Sequence, residues 1–101
     1  MRYCFDIDGT ICLTPLKNGK PDYVNSEPIP LMIEKINKLY DEGNYIIFQT
    51  ARGKNSGIDW SKLTKDQLNN WGFKYNELTD MFQKPNADIF VDDKAINVED
   101  W

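Results

Sequence analysis

Two short acidic clusters hold the side chains most able to do chemistry. Asp6-Ile7-Asp8-Gly9-Thr10 closes the apolar run RYCFDI at 2–7, and Asp92-Asp93 closes a second run, ADIFV at 87–91. A single aspartate is usually a turn or helix-cap residue. The turn reading must here explain two acidic pairs, each at the end of an apolar run. D-x-D-G-T also fixes enough positions to arise by chance only about once in 10^5 windows. Carboxylates gathered at one place repel unless a cation sits among them. Oxygen ligands without histidine or thiolate point to Mg²⁺, which keeps several waters and works beside phosphate. The candidate metal-ligating residues are therefore Asp6, Asp8, Asp92 and Asp93. Lys84 lies eight residues before Asp92. Alone it would be a solvated charge; beside a metal–carboxylate cluster its ammonium can neutralise phosphate oxygens. Thr50 ends the run NYIIFQT at 44–50 and offers a hydroxyl, with a main-chain N–H next to it, to a phosphoryl oxygen.

The composition removes competing chemistries. The 101-residue chain has no histidine, which excludes Ser-His-Asp triads, Cys-His dyads and His-ligated zinc. Cys4 and Cys12 form no C-x-x-C motif, and neither is followed six positions on by arginine. They read as two reduced thiols. The charge is 12 basic against 16 acidic, and setting the four clustered aspartates aside leaves 12 against 12. No basic run suggests a nucleic-acid stripe or a membrane anchor. No signal-peptide pattern opens the chain. A cytoplasmic protein is expected.

The elements that must position these residues follow from periodicity. A chain of this length is expected to make one domain, residues 1–101. A strand at 2–7 leads into a proline-rich segment, 12–30, where Asn18-Gly19 signals a hairpin or flap. Met32, Ile33, Ile36 and Leu39 fall at helical spacing between Leu31 and Glu42, with Gly43 as the stop. After the strand at 44–50, Trp60, Leu63, Leu68 and Trp71 mark a second helix over about 59–71. A weaker strand is expected near Phe73–Tyr75, then the strand at 87–91. That alternation predicts an α/β, Rossmann-like three-layer fold with a mainly parallel sheet. Ligands of such sheets bind beyond the carboxyl ends of the strands, where Asp6, Asp8, Thr50, Asp92 and Asp93 all fall.

D-x-D-G-T, then a strand ending in Thr, then Lys, then a strand ending in D-D, resembles the haloacid dehalogenase superfamily. The motifs run in its order from residue 6 to residue 93. The resemblance implies Asp6 as the nucleophile that forms an aspartyl-phosphate and Asp8 as the acid and base. It implies Thr50 and Lys84 as phosphoryl ligands. Mg²⁺ would be held by Asp6, the main-chain carbonyl of Asp8 and Asp92, with Asp93 assisting through water or by orienting Lys84. The aspartate two residues after the nucleophile marks the superfamily's phosphatases rather than its dehalogenases. About 40 residues separate Asp8 from Thr50 and about 33 separate Thr50 from Lys84, too few for a cap domain. The strings F-D-I-D-G-T-I-C, I-I-F-Q-T-A-R-G and K-P-N-A-D-I-F-V-D-D are similar to those of small capless capsule-biosynthesis phosphatases. A sugar phosphate of surface-polysaccharide biosynthesis is the substrate this implies. The chain ends eight residues past Asp93, which leaves a fifth strand common in the superfamily unaccounted for and makes a homodimer through that edge an expectation.

Without a cap, recognition beyond the phosphate falls to loops, and Arg52 and Lys54 are the nearest candidate substrate-binding residues. The competing role for Arg52 is a structural pair with an acid such as Asp59 or Asp80. Two other functions compete. A polynucleotide or nucleotide phosphatase of the same superfamily suits the T-A-R at 50–52, but the balanced charge gives no basic groove. A phospho-accepting receiver domain uses similar residues, yet carries its acidic pair on the first strand and its lysine last, the reverse of this order.

Overall fold

The computed structural model describes residues 1–54, 56–80 and 85–92. In chain order the elements are β1 (Arg2–Asp6), β2 (Cys12–Leu13), β3 (Leu16–Lys17), β4 (Lys20–Pro21), β5 (Glu27–Pro28), α1 (Pro30–Asp41), β6 (Tyr45–Thr50), α2 (Ser61–Trp71), β7 (Glu77–Asp80) and β8 (Ile89–Val91). Four of the strands form one parallel sheet in the order β7-β6-β1-β8. This is the α/β, Rossmann-like arrangement that the alternation predicts. Its register sets Asp6 opposite Gln49, Phe5 opposite Val91 and Thr50 opposite Asp80, so the strands end together.

Alternation along the strands sends Phe5, Ile46, Phe48 and Val91 to one face. Met32 and Ile36 of α1 and Leu68 of α2 close over them. Both helices thus lie on the same side, and the described residues supply the sheet and one helical layer. Phe48 is the hub of this core, with ring centroids 6.2 Å from Phe5, 5.5 Å from Phe73 and 5.4 Å from Tyr75. α1 begins at Pro30, whose missing N–H is no loss in a first turn.

The weak strand expected near Phe73–Tyr75 is not there; it forms later, at Glu77–Asp80. The apolar signal has another cause. The N–H groups of Gly72 and Phe73 donate back to Asn69 and Leu68, and Phe73 folds under the helix end into the core. Pairing with β6 resumes only after Asn76, which exchanges bonds with Ile46.

Between β1 and α1 the chain forms a flap. β3 and β4 pair around Asn18 and Gly19, with φ of 55° and 77°, the doubly left-handed turn that an Asn-Gly hairpin requires. At its base β2 pairs with β5. Cys4 and Cys12 are both buried free thiols. No helix among the described residues is long and apolar enough to cross a membrane.

Candidate active site

The turn after β1 is fixed by its own backbone. Gly9 donates to Cys12 at 2.8 Å, and Thr10 and Ile11 donate to Ile7 at 3.2 and 3.0 Å. Ile7, Ile11 and Cys12 are buried in the core, so Asp8 projects from a turn anchored on both sides.

Asp6 and Asp92 follow Phe5 and Val91, which are partners, so they stand side by side on neighbouring strands. Such strands lie about 4.8 Å apart. Both carboxylates line one cleft of about 230 Å³ together with Thr50 and Cys4. The Thr50 hydroxyl oxygen accepts the Arg52 main-chain N–H at 3.0 Å, which leaves its own proton to donate. Burial first, then the charges of Asp6 and Glu77, push the Cys4 thiol up to about 11. It stays protonated and makes a poor ligand. The donors left are hard oxygens, and among the described residues no three His, Cys, Asp or Glu side chains form a metal cage. Two carboxylates in an open cleft fit Mg²⁺, which is commonly held by one or two carboxylates, water and substrate phosphate.

The carboxylate of Asp8 is committed elsewhere. Arg52 grips it bidentately, with Nη2 2.9 Å from Oδ1 and Nε 3.0 Å from Oδ2. Thr14 adds a hydroxyl donor to Oδ1 at 2.6 Å. Burial raises the Asp8 carboxyl, but the hydrogen bonds from Arg52 and Thr14 and the guanidinium charge outweigh it and hold the group below its ordinary range. With its carboxylate so engaged, Asp8 offers a metal its main-chain carbonyl most readily.

The same geometry corrects the expectation that Arg52 binds substrate. The side chain is wholly buried, and every guanidinium N–H has a protein acceptor. Nη1 donates to Gln67 and to Thr64 at 3.3 Å, Nη2 to Asp8 and to Ser26 at 3.3 Å, and Nε to Asp8. The guanidinium carbon also lies 4.7 Å from the centroid of the Tyr23 ring. Arg52 is an interior arginine, and its partner is Asp8 rather than Asp59 or Asp80.

A second cleft of about 440 Å³ runs from Asp6 and Asp8 along the flap, past Thr14, Leu16, Pro21 and Tyr23. Lys54 does not reach it. It lines a neighbouring hollow of about 470 Å³ with Lys20, Tyr23 and Trp60. Lys84 and Asp93 lie outside the described residues. Thr14, Ser26, Thr64, Gln67 and Tyr23 were missed by sequence reasoning. One signal was legible: Thr64 and Gln67 are polar residues on the inward stripe of α2, between Trp60, Leu63, Leu68 and Trp71.

No family model matches this chain, and no curated protein matches it. A crystal structure of a target protein from Vibrio cholerae superposes with a TM-score of 0.70, covering 99% of this chain and 86% of that one at 24% identity. At that identity the likeness shows the fold alone.

Proposed function

We propose that this chain is a Mg²⁺-dependent phosphomonoester hydrolase that works through an aspartyl-phosphate on Asp6, in the manner of the capless haloacid dehalogenase phosphatases. The observation that carries the reading is the convergence of Asp6, Thr50 and Asp92 on one cleft at the carboxyl end of a parallel sheet, with Asp8 beside Asp6 in the adjoining one. Asp6 and Asp92, with the Asp8 carbonyl, would hold the metal. Bound there, Mg²⁺ would neutralise charge on the phosphoryl oxygens.

In the first step an Asp6 oxygen attacks phosphorus, the bond to the leaving oxygen breaks, and Asp8 gives that oxygen its proton. In the second, Asp8 takes a proton from water, the water attacks phosphorus, and the bond to Asp6 breaks to free phosphate and carboxylate. Without substrate Arg52 keeps Asp8 ionised, the form needed in the second step. A phosphoryl dianion arriving beside Asp8 repels its carboxylate charge, which offsets the effect of Arg52 and favours the protonated form needed in the first. The Thr50 hydroxyl would donate to a phosphoryl oxygen.

The two flap-side clefts suit a small phosphorylated substrate, and a sugar phosphate handled in the cytoplasm fits both them and the motif resemblance. A homodimer is the assembly this reading adds. The test is hydrolysis of p-nitrophenyl phosphate, followed by a panel of sugar phosphates, nucleotides and 3′-phosphorylated oligonucleotides. Activity should vanish with chelator and return with Mg²⁺. Full activity in chelator overturns the metal assignment, and a preference for oligonucleotides overturns the substrate class.

A further inference from the structure

Arg52, whose five guanidinium N–H groups all find acceptors among the described residues, touches the carboxylate that the proposed reaction uses for proton transfer, and its charge alone would not require so exact a hold. Asp8 sits on a turn and could rotate about both side-chain torsions. Arg52 removes that freedom by taking both oxygens at once. Oδ1 receives Arg52 Nη2, the Thr14 hydroxyl and, at 3.5 Å, the Cys12 thiol. Among the described residues Oδ2 receives Arg52 Nε alone, which leaves Oδ2 a lone pair on which a proton can travel. The guanidinium is itself fixed from two sides. α2 holds Nη1 through Thr64 and Gln67, and the flap holds Nη2 through Ser26. Gln67 also donates from Nε2 to the Tyr23 carbonyl at 2.6 Å, tying α2 to the flap. Thr14, at the flap's other end, bonds both Asp8 and Ser26, the latter at 2.7 Å.

We propose that Arg52 is a positioning residue for Asp8, aiming Oδ2 for proton transfer, and that it makes this aim depend on the flap being seated against α2. The inference rests on the reading of Asp8 as the proton-transfer group. It follows from one closed circuit of bonds, Asp8–Arg52–Gln67–Tyr23 and back through Ser26 and Thr14 to Asp8. An arginine that served packing alone would not need its planar fork on this carboxylate.

The test is Arg52→Lys, which keeps the charge and loses the paired N–H groups, assayed with Mg²⁺ on p-nitrophenyl phosphate and phenyl phosphate. The first leaving group departs readily as an anion, whereas the second needs the proton. General acid–base catalysis is worth about 10²–10⁴-fold, and misplacement by an ångström can cost about 10²-fold. The kcat for phenyl phosphate should therefore fall about 30- to 100-fold, that for p-nitrophenyl phosphate less than about threefold, with both KM values nearly unchanged. In an Asp8→Asn background the same change should have no further effect, since Arg52 acts through Asp8. Equal losses on both substrates, or a further loss without Asp8, overturn the proposal. Gln67→Leu reads the flap link without touching Asp8 and serves if Arg52→Lys does not fold. It should show the same leaving-group selectivity at about three- to tenfold, and an unchanged ratio overturns the link. If the native protein hydrolyses neither ester, the phosphatase reading itself has failed, an outcome distinct from native turnover without selectivity.

Discussion

Replacing Arg52 by methionine tests whether the buried network is as the geometry describes it. Methionine fills much of the same volume but supplies no donor. The Arg52 side chain is 0% exposed and the Asp8 side chain 28% exposed, so the variant strands a carboxylate only partly reached by water. Gln67, Thr64 and Ser26 each lose an acceptor role as well. Breaking a buried ion pair from one side costs about 3–5 kcal/mol. Partial exposure of Asp8 favours the lower figure, about 3 kcal/mol. Against the roughly 5–15 kcal/mol that holds a domain of this size, that is a fifth to more than half of the total. At about 4–8 °C per kcal/mol the midpoint should fall by about 12–24 °C. Thermal unfolding followed by tryptophan fluorescence reads that fall and urea unfolding reads the free energy, since Trp60 packs edge-on to Tyr23 at 5.2 Å between centroids. Adding Asp8→Asn removes the stranded charge and should restore at least about 1 kcal/mol. A loss below about 1 kcal/mol, or a double variant weaker than the single one, would refute the reasoning.

Asp6→Asn should abolish turnover while leaving the unfolding midpoint nearly unchanged, because Asp6 is half-exposed at the sheet end; residual multiple turnover would show that another group is the nucleophile. Asp8 has its folded pKa held below the ordinary range, so it stabilises the protein above that range and ceases to do so as pH falls through it. The gap in urea midpoint between the native chain and Asp8→Asn should therefore shrink from pH 6 towards pH 3, about the span of ordinary carboxyl titration, and a constant gap would be the contrary result. Gly53→Ala should cost at least about 2 kcal/mol by forcing Gly53 and Ile58 apart, measured by the same unfolding curves. Its φ is +88°, and an added Cβ would lie far inside contact distance of the Ile58 carbonyl oxygen.

What the sequence made legible is the part governed by local pattern. Apolar runs ending in Asp6, Thr50 and Asp92 located the strand ends, and Asn18-Gly19 located the hairpin, because each is written in consecutive residues. Arg52 was misjudged for the opposite reason. Its acid lies 44 positions away in sequence, and the two meet only because β1 and β6 pair in a register that sets Asp6 opposite Gln49. Nearby Asp59 and Asp80 were the natural candidates, but Asp59 is spent on the N–H of Ser61 at the start of α2. Phe73–Tyr75 misled in a similar way. An apolar triplet after a helix reads as a strand, and only the helix-end geometry reveals it as core packing.

The circuit through Arg52 draws on four separate stretches of chain: the turn at Asp8, the flap at Thr14 to Ser26, the loop at 52, and α2 at Thr64 and Gln67. During synthesis, a nascent chain that has not yet released Gln67 from the ribosome already carries Asp6, Asp8 and Thr50, yet lacks the last bond that closes the circuit. The full bracing of the Asp8 carboxylate is therefore a late event of biogenesis. A chain stalled or trimmed before Gln67 would hold Asp6 and Asp8 with the Asp8 carboxylate gripped by an arginine that α2 does not brace.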